Sequence, residues 1–561
     1  MQKQYFSGLM IIGIMAIVFA SCAKTNTQGK LIPKEAAVVI MMDGKTLSSK
    51  LPWEEIKQNP LFQEMKGDST MPAAIKSLLD NPENSGIDIK ADCMFFAIKD
   101  SMGGYIGFEG NVKDESVFKT FNKQVTENGV ESEKGDAQFI SKFPLCVGWT
   151  KEKFVYIFDA PQMSQMNDLY KRMRRDSINV SSVSGRDIGA TCKAVFALEE
   201  SNSLAKNEKF TRLMKETGDI HFWMNSEELI KSGPSGNALS MINMDRFYKG
   251  SVTTGVMNFD NGKMLVHAKS YASGEMIDLF KKYSRMPGKD VVGLMALNFK
   301  PEALSELIKM TGLDGMINIG LSKMGFTMDD FIKANKGDIL IGISDLAIKP
   351  DTTSFKFKDQ QENVSISKKP SFNFIFAASI GDKDAFNKLI NAGKKIGQGV
   401  YNDSSKSPVS FNSNGKWFAL SNNKQNVDQY LGTGSTNFDF ISKISGEPFG
   451  GYLNIQTLLK SFGEEASKDS SGKIAYDASI KFWDNIIWKG GNYSDGGVTQ
   501  TVEINLVDKS TNSLKQLNQY ASKLSELYKE HRKKQKEGMM AFDDFESKAT
   551  QVPPPPPPKT K

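Results

Sequence analysis

The residues most clearly set out for chemistry stand at the start of the chain. Met1-Gln2-Lys3 leads into an apolar run from Leu9 to Ala20, then Ser21-Cys22. A basic start, about a dozen apolar residues and small residues before a cysteine form a bacterial lipoprotein signal, and the run is too short to span a bilayer. The implied chemistry is diacylglyceryl transfer to the Cys22 thiol, cleavage of a signal peptide over 1–21, and a mature chain that begins at Cys22. Two or three acyl chains, palmitate among them, anchor a protein stably where one binds only marginally. The n-region holds a single charged side chain, Lys3, and Phe19 stands three residues before the cysteine. The competing reading is an ordinary cleaved secretory signal with Cys22 incidental.

Elsewhere the residue types for catalysis are present without their spacing. The histidines are His221, His267 and His531. None has Cys, Asp or Glu at metal-ligand spacing, so no zinc site is expected. No Gly-x-Ser-x-Gly elbow occurs, and Ser232-Gly233-Pro234-Ser235-Gly236 reads as a loop. Gly44-Lys45-Thr46 follows a strand, but Val39 stands where a phosphate loop needs its first glycine. No Gly-x-Gly-x-x-Gly fingerprint follows a strand. Asp260-Asn261-Gly262 reads as a hairpin turn rather than a calcium loop. The adjacent acids Glu199-Glu200, Glu227-Glu228 and Asp329-Asp330 do not face one another on a strand or on a helix. Thus Cys22 is the one site residue assigned, with no catalytic, cofactor-binding or metal residue and no cofactor. The six tryptophans and 36 phenylalanines supply core before they supply a sugar or lipid groove.

The composition is that of a globular chain with ample core: 39% hydrophobic and 24% charged residues. The net charge of +6 comes from 71 basic and 65 acidic side chains. They are spread rather than striped, which excludes a nucleic-acid partner. After Cys22 three cysteines remain, Cys93, Cys146 and Cys192. That number excludes a disulfide scaffold. Cys93 and Cys146 read as buried strand residues, and the sequence does not pair the three.

The elements that would carry any site recur. A strand that stops at Asp or Asn and turns into a helix appears at Val38–Asp43, Ile220–Asn225, Gly293–Asn298 and Gly451–Asn454. The terminal residues are read as helix caps. Gly86-Ile87-Asp88 with Cys93–Ile98 resembles Gly325-Phe326-Thr327 with Ile339–Ile343. Lys113-Asp114 and Gly381-Asp382 each open a helix, and Lys153–Ile157 resembles Lys416–Leu420. Each half closes on two alternating strands and a helix: Val252–Phe259, Lys263–Lys269 and Glu275–Tyr283, then Ile486–Tyr493, Val498–Leu506 and Ser513–Tyr528. Alternation and Asn-Gly turns argue for antiparallel sheets with one covered face. The class is α+β, as two tandem pseudo-duplicated halves of antiparallel sheets covered by helices. The expected division is the signal 1–21, a tether 22–32, a first half 33–287, a second half 290–528, and a basic/acidic segment with a polyproline tail over 529–561. Within the second half, Lys349 to Lys369 reads as an exposed loop. In the tail, Pro553–Pro558 make a rod of roughly 19 Å, a spacer or a docking rod.

Ile32-Pro33 with Ala36-Ala37-Val38-Val39, and Asn81-Pro82-Glu83-Asn84-Ser85-Gly86-Ile87-Asp88, resemble the Bacteroidetes lipoprotein family called domain of unknown function 4836, over roughly residues 30–530. The resemblance implies no activity, cofactor or catalytic residue. Surface lipoproteins of that group carry acidic residues just after the lipidated cysteine, and Ala23-Lys24-Thr25-Asn26-Thr27 has none. The expectation is therefore a lipid-anchored protein of the bacterial cell envelope that faces the periplasm. Its partners are the membrane, through Cys22, and an envelope protein; its role is non-enzymatic binding or scaffolding. The alternative is an envelope glycan or peptide hydrolase whose carboxylates meet only in the fold. Cys22→Ala should move the protein from the membrane to the soluble periplasmic fraction. A variant that still sediments with membranes would remove the lipidation reading.

Overall fold

Strands in this protein are built by alternation between two interiors. Along Lys153–Asp159 the side chains of Phe154, Tyr156 and Phe158 enter one core cluster, and those of Val155 and Ile157 enter another. All five residues of Leu145–Trp149 are buried in the same way. Successive side chains on a strand point to opposite faces, so a wholly apolar strand needs cover on both. The single covered face expected from the sequence does not describe these strands.

The computed structural model describes residues 29–67, 71–160, 185–231, 248–271, 291–355, 363–400, 409–432, 438–468, 470–525 and 527. Cys22, the helix expected over 275–283, the loop 232–236, His531 and the polyproline tail lie outside these residues. The described strands, eighteen in all, are β1 Val38–Met42, β2 Cys93–Ile98, β3 Tyr105–Asn111, β4 Val130–Lys134, β5 Ala137–Lys142 and β6 Leu145–Trp149. They continue with β7 Lys153–Asp159, β8 Ile220–Asn225, β9 Val252–Asp260, β10 Lys263–Tyr271, β11 Val291–Asn298 and β12 Asn335–Phe355. The last six are β13 Asn363–Ile380, β14 Ser410–Ser413, β15 Trp417–Ser421, β16 Phe449–Asn454, β17 Trp483–Ser494 and β18 Gly497–Leu506.

Every pairing is antiparallel, and helices pack on the sheet, which makes the class α+β. The sheet is continuous through one seam, β10 against β18, which runs from Lys263↔Asn505 to Ser270↔Val498. Outward from the seam, one arm reads β10-β9-β8-β1-β2-β3-β7. The other reads β18-β17-β16-β11-β12-β13-β15. β1 and β11 hold equivalent places, as do β8 and β16. Asp43 follows β1, Asn298 ends β11, Asn225 ends β8 and Asn454 ends β16.

Three of these four residues cap helices. Asp43 accepts from Thr46 N at 2.9 Å, Asn225 from Glu228 N at 3.2 Å and Asn454 from Thr457 N at 2.9 Å. Asn298 does not cap: its helix starts later, at Pro301, and its amide donates to Asp338 instead. The polar stretch Lys349 to Lys369 is also no loop at its ends. β12 and β13 continue their ladder through it, from Lys349↔Lys369 to Phe355↔Asn363. β-branched residues such as Thr352, Thr353, Val364 and Ile366 suit an extended, paired backbone.

The arms differ in cover. In the first, two clusters flank the sheet. One is built on Leu78, Phe118, Trp149 and Tyr156, the other on Phe96, Cys192, Phe210 and Trp223. In the second, Leu294, Leu340, Ala377 and Ile487 form a cluster on one face. On the opposite face Met295, Ile341 and Ile343 stay 47%, 42% and 38% exposed. The helix over 513–525, expected within the second half, packs its Leu514, Leu517 and Tyr520 on the first arm's cluster. Asn59 Nδ2 there donates to the Asn518 carbonyl at 2.7 Å, and Lys515 pairs with Glu55 at 2.6 Å.

Gly262, in the β9–β10 turn, locks the seam. Its N–H donates to Thr511 O and its carbonyl accepts from Leu506 N, both at 2.9 Å. With φ +69, a side-chain carbon there would stand 2.5 Å from Lys509 Cα. Gly135 has a similar φ of +64 with nothing near it. Gly135→Ala should therefore cost about 1 kcal/mol from its left-handed backbone alone. Gly262→Ala should cost ~2 kcal/mol more, because backbone must move. Urea denaturation of both variants checks this, and equal losses would mean that the seam is not pinned at Gly262.

Candidate functional site

Antiparallel register brings three amides into one row. Asn454 ends β16 and lies opposite Asn485 on β17, which lies opposite Asn505 on β18, which in turn faces Lys263 across the seam. Two residues along, on the same face, the row is Tyr452, Ile487 and Glu503. Glu503 and Lys263 excepted, these residues line a cavity of about 460 Å³ together with the helix Asp439–Ile444. Phe438, Phe440 and Tyr452 make its aromatic wall. The Phe440 and Tyr452 rings stack at 3.9 Å and 2°, and Phe438 lies 5.4 Å from Phe440.

Both lysines that line the cavity are paired. Lys443 Nζ reaches Glu503 Oε1 at 2.8 Å, and Lys263 approaches Oε2 at 3.5 Å from the other arm. Asn505 Nδ2 donates to Glu503 Oε1 at 2.9 Å and to Asn485 Oδ1 at 3.0 Å. Burial pushes the Glu503 carboxyl up. The hydrogen bonds from Lys443 and Asn505, with the charges of Lys443 and Lys263, outweigh this and hold it down at about 2. Asp484 pairs with Lys509 at 2.6 Å. Burial pushes the Tyr452 phenol up, and Asp484 adds to the effect. The site thus offers amide donors and acceptors beside aromatic rings, with Glu503 held as an anion rather than poised to give a proton.

The acid pairs noted in the sequence serve local structure. Asp330 caps its own helix start, accepting from Thr327 N at 3.0 Å, and bonds Lys388 at 2.8 Å. Its carboxyl is lowered to about 2, first by Lys388 and then by Thr327. Asp329 pairs with Lys333, Glu227 accepts from Gly250 N, and Glu200 meets Lys206 at the surface. None of these acids lines the cavity. His221 is buried and bonds Glu216 O at 2.9 Å, while His267 meets Thr501 across the seam. Among the described residues, no three His, Cys, Asp or Glu side chains come together as a metal site. Sequence reasoning missed the amide row because its members are far apart in the chain. The alternating strands that pair them were visible, but their register was not.

One carboxyl is strongly raised, and it lies far from these rows. Glu109 on β3 is 7% exposed; burial pushes it from near 4.5 up to about 7, against the charge of Lys153 and a hydrogen bond from Gly29 N. A raised acid holds its proton in the folded state, so its contribution is whole below about pH 4.5 and is lost as pH rises through 7. At pH 8 Glu109→Gln should therefore be more stable than the unmodified chain by on the order of 1–3 kcal/mol, with little difference at pH 4.5. Urea denaturation at the two pH values checks this, and a pH-independent difference would place an ionised Glu109 in the fold.

The family described as Domain of unknown function (DUF4836) matches residues 29–404. No curated protein matches the chain. Among solved structures, crystal form I of TP0453 is similar with 10% identity and a TM-score of 0.21, covering 45% of this chain and 79% of that one. Crystal form III of TP0453 shows 8% identity and a TM-score of 0.24, covering 46% of this chain and 88% of that one. Neither likeness is close enough to bear on fold or function. No helix among the described residues is long and apolar enough to cross a membrane.

Proposed function

For a chain that belongs to the DUF4836 family, we propose the role of a lipid-anchored envelope protein, held by Cys22 and facing the periplasm, that binds a neutral, hydroxyl- or amide-rich ligand in the cavity beside the seam. The observation that carries this reading is the row Asn454, Asn485, Asn505 beside the Phe440–Tyr452 stack. Amides donate and accept at once, and aromatic faces take the apolar side of sugar rings or peptide groups; ligand sites of this kind set a few polar groups among aromatic walls. The paired lysines speak against an anionic ligand, which would have to break the Lys443–Glu503 or Lys509–Asp484 pair.

Hydrolysis would need a protonated carboxyl and an ionised one in the same cleft. Glu503 is held at about 2, and Glu109, the raised acid, is buried on β3. Both favour binding over bond cleavage. We also propose that 33–287 and 290–528 descend from one duplicated unit, which the equivalent strand order on either side of the seam supports.

The test uses the detergent-solubilised full chain with N-acetylglucosamine oligomers and short neutral peptides, followed by calorimetry and by analysis of the recovered ligand. Binding of one class is expected, weakened roughly tenfold, or ~1.4 kcal/mol, by Asn485→Ala, with the ligand recovered whole. Shortened ligand would establish the hydrolase instead. Unchanged binding in Asn485→Ala would move the site away from the amide row.

A further inference from the structure

Two of the three described cysteines are brought together by the fold. Cys146 lies in the middle of β6 and Cys192 in the middle of the helix Ile188–Phe196, and both are fully buried in the same cluster. The helix is laid across the β5–β6 hairpin in a fixed sense. At one end, a side-chain carbon on Gly189 would stand 3.6 Å from Ser141 Cβ. At the other, the Phe196 ring packs edge-on against Phe139 at 5.7 Å, and a side-chain carbon on Gly148 would meet Phe196 at 3.2 Å. Cys192 stands three residues after Gly189 and four before Phe196, so it shares their face of the helix. Cys146 pairs with Ser141 in the ladder and points to the same side of the sheet. The two thiols are near enough to act on one another electrostatically.

We propose that Cys146 and Cys192 are the partners of a native disulfide. The acceptor is a disulfide, on a thiol–disulfide oxidoreductase or a small molecule. One thiolate attacks it and forms a mixed disulfide; the second thiolate then displaces the acceptor, which leaves as two thiols with the two protons and two electrons. Cys192 holds the Cys146 thiol below its ordinary range, and burial acts against it. The bond would close while the helix settles on the hairpin, and full burial then shields it from reductants.

Cys93 takes no part. It stands on β2 and belongs to the cluster on the opposite face of the sheet. Burial pushes its thiol well up, which leaves little thiolate to react. Persistence of the bond in cells rests on the envelope placement proposed above, because disulfides last in oxidising compartments.

The full chain in detergent is refolded from urea with oxidised glutathione, alkylated without reductant, digested and weighed. The expected result is one cross-linked peptide pair that joins Cys146 to Cys192, with Cys93 alkylated. The oxidised chain should melt about 5 °C above the same chain refolded in dithiothreitol, and Cys146→Ser and Cys192→Ser should each abolish that difference. Alkylation of all three thiols after oxidation, or a cross-link through Cys93, would overturn the proposal on the unmodified chain, whether or not the variants fold. A bond that forms in the tube but is absent from chain taken directly from cells would support the site and overturn the envelope placement.

Discussion

The ladder between β10 and β18 is the constraint on which the rest of the architecture depends. An antiparallel sheet of this width gains its continuity one strand pair at a time, and this pair joins strands more than two hundred residues apart. It is reinforced by side chains across the pair, His267 with Thr501, Lys263 with Glu503 and Lys269 with Asp495. Gly262 then fixes its end, since only a residue without a side chain admits the Lys509 backbone so close. Exposed ion pairs contribute little by themselves. The seam gains more from the helix over 513–525, which carries Leu514, Leu517 and Tyr520 out of the second arm and buries them in the first. The two arms thus share a core as well as a sheet edge.

That sharing explains where the cavity lies. Near the seam the second arm's apolar cluster gives way to polar rows, because β17 and β18 present Asn485, Asn505 and Glu503 where strands farther out present Leu294 and Leu340. Lys263 comes from the first arm and Lys443 from the second, and both converge on Glu503. One of the two cations at Glu503 is therefore in place only when the seam is formed.

Much of the fold was legible because its signals are local. Alternating strands joined by Asp260-Asn261-Gly262 and similar turns appear where the sequence puts them. Asp43, Asn225 and Asn454 cap helices because a carboxylate or amide at a strand end meets free N–H groups wherever a helix begins at once. Asn298 failed that rule because Phe299 and Lys300 separate it from the helix at Pro301. The stretch Lys349 to Lys369 looked like a loop by polarity, yet β-branched residues suit the extended backbone of a ladder already in register. The single covered face was misjudged at β6 and β7, since an apolar run does not say whether one interior or two will receive it.

By itself the sequence determined what depends on near neighbours: the class of the fold, the caps and turns, and the likeness to the family DUF4836, which the match over 29–404 bears out. It also held the order of elements on which the equivalent arms rest. Only the tertiary structure decided which strands meet at the seam, that Asn454, Asn485 and Asn505 form one row, that burial pushes the Glu109 carboxyl up, and that Cys146 lies against Cys192 while Cys93 lies across the sheet. The physical reason is register. A shift of one residue in any ladder sends each side chain to the opposite face, and that choice is made by the packing of residues hundreds of positions apart, which no local pattern encodes.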